Sequence, residues 1–187
     1  MTEGNSRIPG NADGVDSDDV ATRQLLDHAR GMSGGRLLNM HWQMATAPAV
    51  LAGYLGLRDA IFAHATVDRR TRSAVAIAAS GATQGRYTLA VNSNLALRES
   101  WAEPEIWAIA QGDSCGDARL DALLEVARCA ATGDGSVPAE TWRAALAADW
   151  DVEQLAEVFA YVGLVTYCER FVHYADTQFD VVPARPA

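Results

Sequence analysis

Apolar residues recur at three- and four-residue spacing through most of the chain, and no stretch of useful length alternates with a period of two. The pattern therefore predicts helices throughout and no sheet. Val20, Leu25, Leu26 and His28 form a first short helix that Asp18 or Asp19 can cap and Gly31 ends, with residues 31–35 as a linker. Residues 36–44, RLLNMHWQM, embed His41 and Trp42 in an apolar entry to the next helix. That helix opens near Thr46, Ala47 and Pro48 and carries Leu51, Tyr54, Leu55, Ile61 and Phe62 through His64. Asp68 caps a further helix that leads through residues 75–79 into the stretch 80–97. Later helices start at Glu103 and Pro104, span 118–131, and span 138–148 around Trp142 and Leu146. The last opens at Asp151, with Gln154 in a capping-box arrangement, and runs through LAEVFAYVGLVTYCERFVHYADTQF. It is apolar nearly all round until Glu169, which predicts a central position or a subunit interface.

The stretch 80–97, SGATQGRYTLAVNSNLAL, departs from this scheme. Read as one helix at about 100° per residue, it brings Gly81, Gly85, Thr88 and Asn92 within about 60° of one another, with Gln84 and Leu95 beside them. A core-facing helix normally presents Leu, Ile or Val. A face of Gly, Thr, Asn and Gln predicts close backbone packing or the wall of a cavity.

Composition narrows the possibilities. With 187 residues the chain is expected to form one domain over 20–182, preceded by a disordered tail at 1–19 that is polar, Gly-rich and acidic. A formal charge of -9 and no basic stripe argue against nucleic acid and an anionic membrane surface as partners. There is no lysine, which excludes a lysine Schiff base and a P-loop lysine. Arg and Ala without Lys match a GC-rich bacterial genome. Cys115, Cys129 and Cys168 form no CxxC and are odd in number, so neither a disulfide framework nor a zinc cluster is indicated, and a reducing cytoplasm is expected. No leader or membrane-span pattern is present in the sequence.

Three pieces, MHWQMATAPAVLAGYLGLRDAI, the helix leading into SGATQGRYTLAVNSNLAL, and VPAETWRAALAADWDVEQLAEVFAYVGLVTYCERFVHYA, together resemble the carboxymuconolactone decarboxylase and alkylhydroperoxidase D-like family. The resemblance covers about 37–180 and implies an all-α, AhpD-like helical bundle in a homo-oligomer: a dimer, trimer or hexamer. Peroxidase members of that family carry Glu, then Cys-x-x-Cys, then His. A low-pKa thiolate attacks peroxide, a second thiol resolves the sulfenic acid, and Glu and His relay protons. Laid on this chain, the motif falls on Ser73, Gly85, Thr88 and Asn92, so all four residues are replaced. Thiol peroxidase and disulfide reductase chemistry cannot run from this motif.

Other residues offer acid–base chemistry. Glu169 and His173 stand one turn apart on the last helix, in line with Leu155, Val158, Val162 and Val165, and Asp176 continues the line. His41 is a further acid–base candidate and His64 a weaker one. Gln84, Tyr87, Thr88 and Asn92 supply hydroxyl and amide groups for a polar ligand, while Trp42 and Tyr54, or Trp101, wall an apolar one. No HxH, HxxxH or ExxH spacing supports a metal, and no cofactor is expected. The expectation is a cofactor-free, non-redox decarboxylase, isomerase or cyclase acting on a small, partly apolar organic acid or ketone. The alternative is a non-catalytic ligand-binding or assembly protein of the same fold; residual peroxidase activity through Cys168 is a third possibility.

Overall fold

The computed structural model describes residues 6–10 and 19–182, and these contain nine helices and no strand. They fall into two compact units: Met1–Ala60 with Arg170–Val181, and Ile61–Glu169 with Val182–Ala187.

The first unit holds α1 (Val20–Met32), α2 (Asn39–Ala45), most of α3 (Pro48–His64) and the last turns of α9 (Val152–Ala175). Asp19 caps α1 by accepting the Ala21 N–H at 3.1 Å and the Thr22 hydroxyl. α1 continues one residue past Gly31, so the linker is shorter than expected. Residues 36–44, read as an entry segment, contain most of the short helix α2, which buries Met40, His41, Gln43, Met44 and Ala45. Leu51 and Leu55 of α3 complete an apolar core. Buried Gln43 ties three segments together: its amide donates to Ile8 O at 2.9 Å and its carbonyl accepts the Thr177 hydroxyl. Residues 6–10 are fixed by further bonds, from Arg7 N–H to Ala175 O at 3.0 Å and from the Thr46 hydroxyl to Pro9 O at 3.1 Å. These contacts use main-chain carbonyls, which composition does not register; the rest of the expected tail, 1–5 and 11–18, lies outside the described residues.

The second unit holds α4 (Arg69–Ala82), α5 (Arg86–Arg98), α6 (Glu103–Gln111), α7 (Ala118–Ala131), α8 (Ala139–Ala147) and the greater part of α9. Helix α4 packs against α5, α6 and α7. Its buried side chains are small, Ala74, Val75, Ile77, Ala78, Ala79 and Ser80, which permits close approach. Gly81 sets the limit: a Cβ there would lie 2.1 Å from Ala110 O on α6. Ile106, Ile109, Leu123, Leu124, Leu155 and Val158 fill the core. The predicted caps form, with Asp68 accepting Thr71 N–H at 3.0 Å, and Asp151 and Gln154 bonding each other's N–H at 2.8 and 3.2 Å.

Two further helix boundaries differ from the sequence reading. The stretch 80–97 is not one helix, since α4 ends at Ala82 and α5 begins at Arg86. Gln84 takes φ 55 in the left-handed region, and the Gly85 N–H closes back on Ser80 O at 2.8 Å. The last helix stops at Ala175 rather than reaching residue 179, because Asp176 turns left-handed at φ 53.

Candidate functional site

The break after α4 builds the most chemically distinctive place in the second unit. Gly85 is the N-cap of α5, with φ -73 and ψ 83, and Thr88 follows within the first turn. Both are buried, and the buried carboxyl of Glu169 on α9 reaches them. The Thr88 hydroxyl has two oxygen neighbours, Gly85 O at 3.1 Å and Glu169 Oε2 in a short hydrogen bond. One hydroxyl proton thus lies among oxygens that compete for it. The carboxyl uses space that only glycine leaves open. A Cβ at position 85 would sit 2.1 Å from Glu169 Oε2, and 2.5 Å from both its Cδ and the Thr88 Oγ1.

Asn92, at the position where the peroxidase motif has histidine, donates to Ser80 Oγ at 3.0 Å. On one continuous helix Ser80 and Asn92 would stand about 18 Å apart along the axis. Only the chain reversal at 83–85 brings them together, so Ser80 is a site neighbour that the helical reading missed. Tyr87 is buried, whereas Gln84 is exposed, because its left-handed backbone turns it off the face it was assigned to.

The expected Glu169–His173 pair divides between two settings, with Glu169 buried beside Thr88 and His173 exposed near the end of α9. Asp176 lies beyond the helix and is also exposed. His64 is exposed at the end of α3. In the first unit His41 is buried and its ring lies 5.7 Å from that of Tyr54. Burial, and then the Arg58 charge, push its pKa down to about 4 against the opposing pull of Asp180. At neutral pH its ring is therefore uncharged. Trp42 is half-buried near Gly10. Trp101 donates to Arg70 O at 3.0 Å beneath the Arg70 guanidinium, a packing role.

The cysteines are poorly suited to redox work. Cys168 is buried, and none of the three is in a disulfide. Burial pushes the thiols of Cys115 and Cys129 up, with Asp121 and Glu125 respectively acting in the same direction. Among the described residues no group of three or more His, Cys, Asp or Glu converges as metal ligands, and no helix is long and apolar enough to cross a membrane.

The segment 48–128 matches the model of the carboxymuconolactone decarboxylase family. It runs from the start of α3 into α7 and includes the interrupted stretch around Gly85. No curated protein sequence matches the chain. Among solved structures, a peroxidase-related protein with an alkylhydroperoxidase AhpD core from Ralstonia eutropha JMP134 superposes with a TM-score of 0.79 at 16% identity, covering 92% of this chain and 91% of that one. A peroxidase-related protein from Silicibacter sp. TM1040 gives 0.78 at 12% identity, with coverages of 95% and 94%. A cysteine-to-alanine variant of the debrominase Bmp8, in complex with 2,3,4-tribromopyrrole, gives 0.78 at 20% identity, with coverages of 96% and 93%. The AhpD-like helical fold is therefore established over nearly the whole chain.

Proposed function

We propose that this protein is a cofactor-free, non-redox enzyme of the carboxymuconolactone decarboxylase type, and that the Glu169 carboxyl supplies its acid–base chemistry. The observation that carries this reading is the insertion of that carboxyl into the space above Gly85, hydrogen-bonded to Thr88. A proton-transferring group thus occupies the ground of the missing thiol. The substrate class is a small, partly apolar organic acid or ketone. The Bmp8 complex supports a ligand of that size, since a protein of this fold takes up a small halogenated ring.

The simplest step needs no further reagent. A carboxylate removes a proton from the carbon next to a carbonyl, and the C–H electron pair moves into the carbonyl as an enolate. The carboxylic acid so formed returns the proton to the same carbon, which exchanges it, or, where a β,γ double bond conjugates with the enolate, to the γ-carbon, which isomerises the substrate. In a β-oxo acid the carboxylate instead takes the proton of the substrate's carboxyl group, the C–C bond breaks as CO2 leaves and its electron pair passes into the carbonyl as an enolate, and the carboxylic acid so formed protonates the α-carbon. Thr88, bonded to Glu169, orients the carboxyl; Tyr87 and Asn92 lie on the same helix.

Exchange into deuterated water reads this step without knowledge of the product. Proton NMR of a panel of oxo acids, cyclic ketones and lactones is expected to reveal protein-dependent exchange at one α-carbon. Glu169→Gln, verified as folded by circular dichroism, is expected to lower that rate at least a hundredfold. A panel with no exchange above the buffer rate, or equal exchange in the variant, overturns the proposal.

A second reading, an assembly protein whose helices serve homo-oligomerisation, draws on one observation. Val152 and Phe159, seven residues apart on α9, are 64% and 74% exposed. Sedimentation of Phe159→Ser against the native chain tests it: assembly that persists unchanged removes Phe159 from any interface.

A further inference from the structure

His41 carries an observation that the Glu169 chemistry does not use. Its ring is 1% exposed, within the apolar core of the first unit. Nδ1 accepts the Leu38 N–H at 3.1 Å, so the proton of the neutral ring sits on Nε2. Nε2 is itself buried and meets no acceptor among the described residues. Polar groups nearby in the fold are committed elsewhere. Gln43 bonds Ile8 O and Thr177, and the Asp180 carboxylate accepts the Asn39 N–H at 2.9 Å. A buried N–H with no acceptor destabilises a fold unless something other than the protein supplies one.

We propose that His41 Nε2–H is the donor of a ligand position in the first unit, made for the carbonyl oxygen of a small uncharged molecule such as a ketone, lactone or amide, whose apolar body rests near the Tyr54 ring. A single donor of fixed tautomer beside an aromatic ring recognises one acceptor atom on a flat or apolar body. An anion fits less well, because one uncharged N–H does not repay the desolvation of a carboxylate in an apolar core. Arg58 and Asp180, the charged groups that act on the ring, are of opposite sign. This position is independent of the Glu169 reading.

The test is long-range proton–nitrogen NMR of the full-length protein, titrated with acetophenone and with γ-butyrolactone. The free protein is expected to show the Nε2–H tautomer at His41, and at least one probe to shift that resonance saturably. His41→Phe keeps a flat ring and removes the donor, and is expected to weaken binding at least tenfold. His41→Gln keeps an N–H and retains part of the affinity, which separates loss of the donor from loss of the fold. Glu169→Gln is expected to bind as the native protein does, so failure of the Glu169 chemistry leaves this result standing. A proton on Nδ1, no saturable shift with either probe, undiminished binding by His41→Phe, or a long-lived internal water held on Nε2 that neither probe displaces overturns the proposal.

Discussion

Gly85→Ala tests the geometry of the site without touching a polar atom. The added Cβ would meet Glu169 Oε2 at 2.1 Å and Cδ at 2.5 Å, so the carboxyl must shift, which strains or breaks its bond to Thr88. Displacing a buried polar group from its partner costs about 1–3 kcal/mol. The backbone at Gly85, φ -73 and ψ 83, is open to alanine, so the replacement also gains about 0.4–1 kcal/mol by restricting the unfolded chain. The net expectation is a loss of up to about 2.5 kcal/mol, or up to about 10 °C in Tm for a chain of this size. In a Glu169→Ala background the two carboxyl atoms are gone and only the Thr88 hydroxyl, 2.5 Å from the new Cβ, must rotate. There the same substitution is expected to fall within about 0.5 kcal/mol of neutral, a coupling of about 1 kcal/mol or more. Urea unfolding of the four proteins, followed by tryptophan fluorescence, gives the cycle. Equal cost in both backgrounds would show that Glu169 does not fill the space above Gly85, and would refute the site.

Three further outcomes are expected. Gly81→Ala meets the Ala110 backbone, at 2.1 Å from its O and 2.9 Å from its C and Cα, and backbone cannot swing aside; it is expected to cost more than Gly85→Ala in the same unfolding assay. His41, with its folded pKa near 4 against an ordinary 6.5, takes up a proton in the unfolded chain first. Stability is therefore lost as pH falls from about 6.5 to about 4, by roughly 3 kcal/mol, and is level in this respect below that. His41→Phe is expected to flatten that decline in a pH series of urea midpoints, and an unchanged slope would contradict the buried neutral ring. Peroxide consumption is expected to be the same before and after alkylation of Cys115, Cys129 and Cys168, and a catalytic rate that alkylation abolishes would restore a thiol mechanism.

The helices were legible because their signals are local. Asp19, Asp68 and Asp151 cap where the sequence places them, and the α7 span matches its apolar spacing. The site was legible only in part, because its two halves lie on α5 and α9 and no periodicity connects them. Glu169 was paired with His173, its neighbour one turn on, since a helical wheel ranks contacts within one helix and is blind to a partner on another. The wheel failed again at Gln84, where a left-handed residue that is not glycine gives no warning of a chain reversal.

That reversal changes the meaning of the lost thiols. Judged by the motif alone, glycine and threonine at positions 85 and 88 are two deletions, and the cavity around them has been emptied of chemistry. Judged by the packing, glycine at 85 is a condition for Glu169 to be where it is, since any side chain there would collide with the carboxyl. Threonine at 88 then supplies the hydroxyl that holds that carboxyl in place. The residues work as a set: a cysteine at 85 and the observed Glu169 conformer are mutually exclusive, and restoring both cysteines would first have to evict the acid. On the function proposed above, proton transfer by Glu169 therefore takes the place of thiol chemistry.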